Sequence, residues 1–196
     1  MEKVMIKIKI LYMNWIMAGT LMEFYKNGIL KYEWEYLNGI RHGNGKDYFD
    51  NGLLSYEGEY LDGEWNGYGK EYYDNGKILY EGEYPNGKSN GKGKEYNRNS
   101  NFVFEGEYKN NIRYNGIKKE YYDNGNLLFE RELINGNWNG ERKEYYDNGE
   151  LKYEGDYLNG NWNGEGKEYY DNGVLIHEGE YLNGKWNGDE NDDDLL

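Results

Sequence analysis

The chain has 196 residues, a formal net charge of −14, 29 glycines, 24 tyrosines, 6 tryptophans and no cysteine. The missing thiols exclude a disulfide framework and zinc sites of the usual Cys/His type, and the acidic balance opposes nucleic acid, whose affinity depends on Lys and Arg releasing counterions. A hydrophobic content of 37% with this much glycine would suit disorder if unpatterned, but tyrosine and tryptophan recur at regular intervals, so the chain is expected to fold around its aromatic residues.

At the N-terminus, Val4-Met5-Ile6-Lys7-Ile8-Lys9-Ile10 alternates apolar and polar residues and predicts a strand with Val4, Ile6, Ile8 and Ile10 on one face. Displaced by one repeat, Tyr12-Met13-Asn14 overlays Tyr36-Leu37-Asn38 and Gly19 overlays Gly43. Residues 1–21 therefore read as a divergent half-repeat that caps the array, as terminal repeats do. The rival reading is a secretion signal with Ile10 to Met17 as its apolar segment. Asn14 interrupts that segment and the repeat phase runs through the cleavage region, so a cytoplasmic location is expected ahead of secretion or membrane association. No stretch has the length of apolar residues that a bilayer-spanning helix needs.

Residues 22–188 form the array. Its turn asparagine recurs at Asn27, Asn51, Asn75, Asn99, Asn124, Asn148 and Asn172, a step of 24 residues broken once by a step of 25, and Glu33, Glu57, Glu81, Glu105, Glu130, Glu154 and Glu178 step identically. A fixed period of this size means units that bury their apolar faces by stacking on neighbours. Within one repeat, Gly69 to Tyr73 reads as a strand, Asp74-Asn75-Gly76 as a tight turn and Lys77 to Tyr84 as the returning strand. Asn-Gly between apolar alternations predicts a hairpin tip in which both residues take positive φ. With Asn75 and Gly76 at that tip, Lys70 opposes Glu81, Tyr72 opposes Leu79, Tyr73 opposes Ile78, Glu71 opposes Tyr80 and Gly69 opposes Gly82, and a longer turn shifts this register by one residue.

A second connection, Leu61 to Gly67 and Pro85 to Gly91, joins each hairpin to the next. The expected fold is all-β: an elongated single-layer antiparallel meander of tandem β-hairpins in an open twisted sheet. Gly52, Gly76, Gly125, Gly149 and Gly173 are its turn glycines. Gly58, Gly82, Gly106, Gly155 and Gly179 lie in mid-strand between large residues, which predicts a neighbouring ring over the bare backbone. Trp34 and Arg131 take that position in two copies, which must pack differently. The fourth repeat is irregular: Asn97 to Asn101 lacks the turn glycine, and the loop after Tyr108 carries the one inserted residue. Residues 189–196 are an acidic tail, expected to be disordered.

Tyr153 to Gly166, with its Tyr-Glu-Gly start and Gly-x-Gly end, resembles the MORN repeat, and so does Asn38-Gly39-Ile40-Arg41-His42-Gly43-Asn44-Gly45. The version with Glu-Tyr-Tyr-Asp-Asn-Gly, starting at Glu71, Glu120, Glu144 and Glu168, resembles the bacterial variant of that repeat. The resemblance implies β-hairpins stacked into an elongated sheet that serves as a scaffold or protein-binding module. In some members it implies contact with membrane phospholipids, and for the bacterial variant it implies antitoxins of the YwqK type. The acidic balance here disfavours lipid.

No catalytic constellation stands out, and no enzyme activity, metal or cofactor is expected. His42 and His177 occupy different repeat positions; His177 stands where Tyr56, Tyr80 and Tyr153 stand. The pairs Glu57/Glu59, Glu81/Glu83 and Glu178/Glu180 point to one face of a strand, read first as a solvated face with Lys opposite. Trp65, Trp138, Trp162 and Trp186 share one loop position and are expected to project along one side of the sheet. With Tyr60, Tyr84, Tyr157 and Tyr181 they form the candidate interaction surface, for a protein partner that the net charge favours being basic. Exposed end strands offer a route to homodimers.

Overall fold

The computed structural model describes the backbone of residues 6–13, 16–158 and 160–187, and side chains from residue 18 onward. The expectations for Val4, for the side-chain face of Ile6 to Ile10, for Asn14 and for the tail 189–196 lie outside the described residues.

The chain divides into two compact units, residues 1–112 and 113–196. The first holds strands β1 (Ile6–Met13), β2 (Ile16–Phe24), β3 (Leu30–Leu37), β4 (Ile40–Tyr48), β5 (Leu54–Leu61), β6 (Glu64–Tyr72), β7 (Ile78–Glu83), β8 (Gly91–Tyr96) and β9 (Phe102–Lys109). Each pairs antiparallel with the next. The second unit opens with β10 (Ile112–Tyr121) and continues through β11 (Leu127–Leu133), β12 (Gly140–Tyr145), β13 (Leu151–Leu158), β14 (Asn161–Tyr169), β15 (Leu175–Leu182) and β16 (Lys185–Trp186), again paired in chain order. Both units are all-β open meanders of consecutive hairpins. Among the described residues the sole helical turn is a 3-10 turn at Pro85–Gly87.

The two kinds of connection use asparagine differently from expectation. At Tyr73 to Lys77, Gly76 takes φ 80° while Asn75 stays at negative φ. The Gly76 N–H donates to Tyr73 O (2.9 Å), the Tyr73 N–H donates to Lys77 O (2.8 Å), and Asn75 Oδ1 accepts from the Lys77 N–H (3.1 Å). This longer turn leaves Leu79 as a bulge residue, so Tyr72 faces Ile78 and neither Tyr72–Leu79 nor Tyr73–Ile78 forms. Away from the tip the register is Glu71↔Tyr80, Lys70↔Glu81 and Gly69↔Gly82. The tight turn with both central residues at positive φ is instead the second connection: Asp62 at 50° and Gly63 at 89°, Asn183 at 50° and Gly184 at 82°.

Past that turn the return strands β4, β6 and β14 swell. Between Gly58↔Gly69 and Glu59↔Asn66 the register jumps, putting Gly67 (φ 64°) and Tyr68 outside the β5–β6 ladder. The carboxylate that directly follows the mid-strand glycine position tucks against this swelling, Glu59 beside Gly67, and Glu35 Oε2 accepts the Asn44 N–H at 2.8 Å. The inserted residue of the fourth repeat lies within β10 and not in the loop before it. One residue more separates Lys118 from Asn111 than separates Gly69 from Gly63.

Three rows of residues cross the strands. In the first unit Glu57, Lys70, Glu81, Lys94 and Glu105 are successive partners on one face, and in the second Lys119, Glu130, Lys143, Glu154, Lys167 and Glu178 are. The other face carries Tyr56, Glu71, Tyr80, Glu95 and Phe104 in register, and beside them Gly58, Gly69, Gly82, Gly93 and Gly106. The buried core lies on this second face: Tyr56, Tyr60, Tyr80, Tyr84, Phe104 and Tyr108 in the first unit, Phe129, Leu133, Tyr153 and Tyr181 in the second.

Candidate interaction surface

The aromatic face is built from rings laid over bare backbone. A Cβ added at Gly58 or Gly69 would stand 2.3 or 2.5 Å from the Tyr56 Oη, and one at Gly166 would stand 2.6 Å from that of Tyr153. Only hydrogen leaves room for the ring to lie flat across two strands. Around each such tyrosine the rings meet edge to face: Tyr56 with Tyr60 and Tyr84 (5.7 and 5.9 Å), Tyr80 with Tyr84 and Tyr108 (5.3 and 5.2 Å). Such pairs contribute ~0.5–1.5 kcal/mol beyond the area they bury.

The row's carboxylates receive the phenolic hydroxyls. Tyr60 donates to Asp47 (3.0 Å), Tyr84 to Glu71 (2.5 Å) and Tyr108 to Glu95 (2.7 Å). Burial, reinforced by these carboxylates, raises the pKa of Tyr60 and Tyr84 far above the ordinary phenol value. Burial also pushes Tyr181 up to about 12, with Glu168 adding to the shift.

The tryptophans expected in a loop do not project: Trp65, Trp162 and Trp186 lie at the starts of strands β6 and β14 and in β16, and Trp138 lies just before β12. Trp65 lies on Tyr56 at 4.0 Å and 3°, Trp162 on Tyr153 at 4.1 Å and 4°, and Trp186 on His177 at 4.5 Å. Their indoles are half-buried lids, and Trp162 Nε1 donates to Glu144 (3.2 Å). Tyr60, Tyr84 and Tyr181, named above as candidate contacts, are core residues with 3%, 2% and 2% exposure, while Tyr157 is half-buried. What this face offers a partner is therefore the half-buried indoles and the carboxylates beside them. On the opposite face the glutamates of the Lys–Glu row are internally engaged: Lys70–Glu81 at 3.6 Å, Lys119–Glu130 at 2.7 Å, Lys167–Glu178 at 3.0 Å, with Tyr72 donating to Glu57 (2.6 Å) and Tyr96 to Glu81 (2.9 Å).

Guanidinium groups enter the aromatic face in two places that sequence reasoning missed as sites. Arg41, one period before Trp65, sets its guanidinium 4.8 Å from the Trp34 ring and 5.2 Å from Tyr60. There Trp34 takes the glycine's place in register with Gly45, stacks on Tyr32 (4.3 Å) and donates to Asp47 (2.7 Å). On the first three strands of the second unit the glycine row is replaced by Lys118, Arg131 and Arg142, before it resumes at Gly155, Gly166 and Gly179. Arg131 slides its guanidinium between the two rings that stack directly elsewhere, 4.0 Å from Trp138 and 4.9 Å from Phe129. Arg142 covers Phe129 and Tyr157 (4.7 and 4.6 Å). Burial, together with the neighbouring Arg142, lowers the pKa of Arg131. Among the described residues no group of three or more His, Asp or Glu side chains is placed to hold a metal ion.

Two repeat profiles match the chain. The MORN repeat matches residues 35–53, 56–78 and 80–102, and the MORN repeat variant matches residues 18–38, 114–135, 138–159 and 162–183. No curated protein matches the chain significantly.

Proposed function

Because the chain belongs to the MORN repeat family, we propose that it is a non-enzymatic scaffold whose aromatic face binds a protein partner through a basic segment. MORN repeats are generally protein- or lipid-binding repeat modules, and the family is generally a scaffold rather than a catalyst. The observation that carries the protein-binding reading is the arrangement of that face. Half-buried indoles lie there over a row in which aromatic rings alternate with carboxylates, in a chain of net charge −14 whose opposite face already pairs its own Lys and Glu. Anionic lipid and nucleic acid are repelled by the same charge.

The test is capture by the immobilised full chain at low and moderate salt, with bound proteins and lipids identified, alongside the Trp65→Ala and Trp162→Ala variants. The expected result is a basic protein whose binding weakens with salt and with either substitution. Capture of lipid alone would sink the reading. A narrower version, motivated by the variant repeats at 114–183, is an antitoxin-like protein that neutralises a basic toxin in a salt-sensitive 1:1 complex. It fails if the captured protein is not toxic when expressed without this chain.

A further inference from the structure

In the first unit the series of lids has one gap. Trp65 covers Tyr56; one period earlier the residue is Arg41, whose guanidinium lies against Trp34 and Tyr60, and one period later it is Ser89. Ser89 is drawn inward, its N–H donating to Asn111 Oδ1 (2.7 Å) while its carbonyl accepts the Asn111 N–H (3.0 Å). Its side chain is far smaller than an indole, and Tyr80 is 5% exposed where the lidded Tyr56 is 2% exposed. A cavity of 340 Å³ remains, walled by Trp65, Tyr80, Tyr84 and Tyr108 and carrying the carboxylates of Glu71 and Glu95.

The chain itself shows what such a place accepts, since its counterparts hold an indole at Trp65, Trp162 and Trp186 and a guanidinium at Arg41. Two carboxylates in the wall and a net charge of −14 select the cation over the neutral ring. A planar guanidinium also matches the flat ring stack and donates in a fork, which an ammonium does not. We infer that the cavity at Ser89 is a receptor for an arginine side chain of a partner protein, its guanidinium stacked among Tyr80, Tyr84 and Tyr108 and hydrogen-bonded to Glu71 or Glu95. This deepens the scaffold reading and rests on it for the identity of the ligand's carrier.

The test uses the full chain, labelled for amide and indole NMR signals, titrated at fixed ionic strength with N-acetyl-L-arginine amide and, separately, N-acetyl-L-leucine amide. The arginine probe is expected to move the Trp65 indole and the Ser89 and Asn111 amides together and saturably, the leucine probe not at all. Ser89→Trp, which closes the gap with the repeat's own lid, is expected to weaken arginine binding at least about tenfold while raising the melting temperature. Equal shifts from both probes, or undiminished arginine binding by folded Ser89→Trp, overturn the proposal. Should that variant not fold, the Glu71→Gln/Glu95→Gln double variant decides: a roughly tenfold loss upholds the site and no loss overturns it. Partner capture that survives Ser89→Trp overturns the assignment to this cavity and spares the scaffold. Arginine binding without any captured protein does the reverse.

Discussion

A missing methyl group decides much of this structure. Gly166 lies at negative φ, so alanine there would meet no backbone objection; its Cβ would instead stand 2.6 Å from the Tyr153 Oη and 3.0 Å from the ring. Gly166→Ala is therefore expected to lift Tyr153 and its Trp162 lid and to cost ~1–3 kcal/mol, seen as a lower urea midpoint with altered near-UV circular dichroism. The recurrence of Gly58 and Gly155 between large residues made the need for space legible in the sequence, because a strand tolerates bare backbone only where something lies close. The orientation of the tryptophans was not legible. Trp65 follows a turn and reads as a loop residue, whereas it stands in β6 opposite Tyr60 and lies flat on Tyr56, beside a swelling at Gly67 that the sequence does not announce. Likewise Arg131 shows in the sequence only as a lost glycine, whereas its place between Phe129 and Trp138 is a product of three strands in register.

At the scale of the hairpin, the recurring Tyr-Asp-Asn-Gly stitches successive units together. Tyr25, Tyr73, Tyr122 and Tyr146 donate to the carbonyls of Tyr48, Tyr96, Tyr145 and Tyr169, at 2.7 to 2.9 Å. Asn27, Asn51, Asn124 and Asn148 donate to the carbonyls of Asp50, Asp74, Asp147 and Asp171, at 2.8 to 3.2 Å. Phe49 occupies the tyrosine position without a hydroxyl. Phe49→Tyr is expected to supply the missing link to Tyr72 O and to add ~0.5–1 kcal/mol, read from denaturant unfolding. Asn51→Ala removes both the turn bond to the Leu53 N–H (2.9 Å) and the bridge to Asp74, and should cost ~1–2 kcal/mol with faster amide exchange at Leu53. The period and the pairing of Lys70 with Glu81 could be read from the chain because charge and apolar alternation agree on one register. The turn types could not. Both connections contain Asn-Gly or Asp-Gly, and what separates them is whether the flanking residues close a two-residue loop, as at Asp62-Gly63, or the wider one from Tyr73 to Lys77.

The whole molecule depends on phenols and on unbalanced charge. Tyr56, Tyr60, Tyr80, Tyr84, Tyr153 and Tyr181 all have pKa values raised by burial above the ordinary phenol value of 10.0. Below that pH the phenols are protonated in folded and unfolded chains alike and their contribution is intact. As pH rises, the unfolded chain releases protons that the core retains, so stability falls progressively through the folded values. Tyrosinate absorbance should therefore lag a free-tyrosine titration and then rise together with unfolding. Moderate salt is expected to raise the melting temperature, because it screens the self-repulsion of a −14 chain while giving up only the small contribution of exposed Lys–Glu pairs. Strand order that follows chain order in each unit has a mechanical meaning too. Tension applied to the two ends of either unit would load its outermost ladder one hydrogen bond after another, as in peeling tape, never a whole interface at once. Such a sheet yields strand by strand at low force and recovers by laying each strand back on a waiting edge, so it can be stretched and reset without passing through a fully unfolded chain.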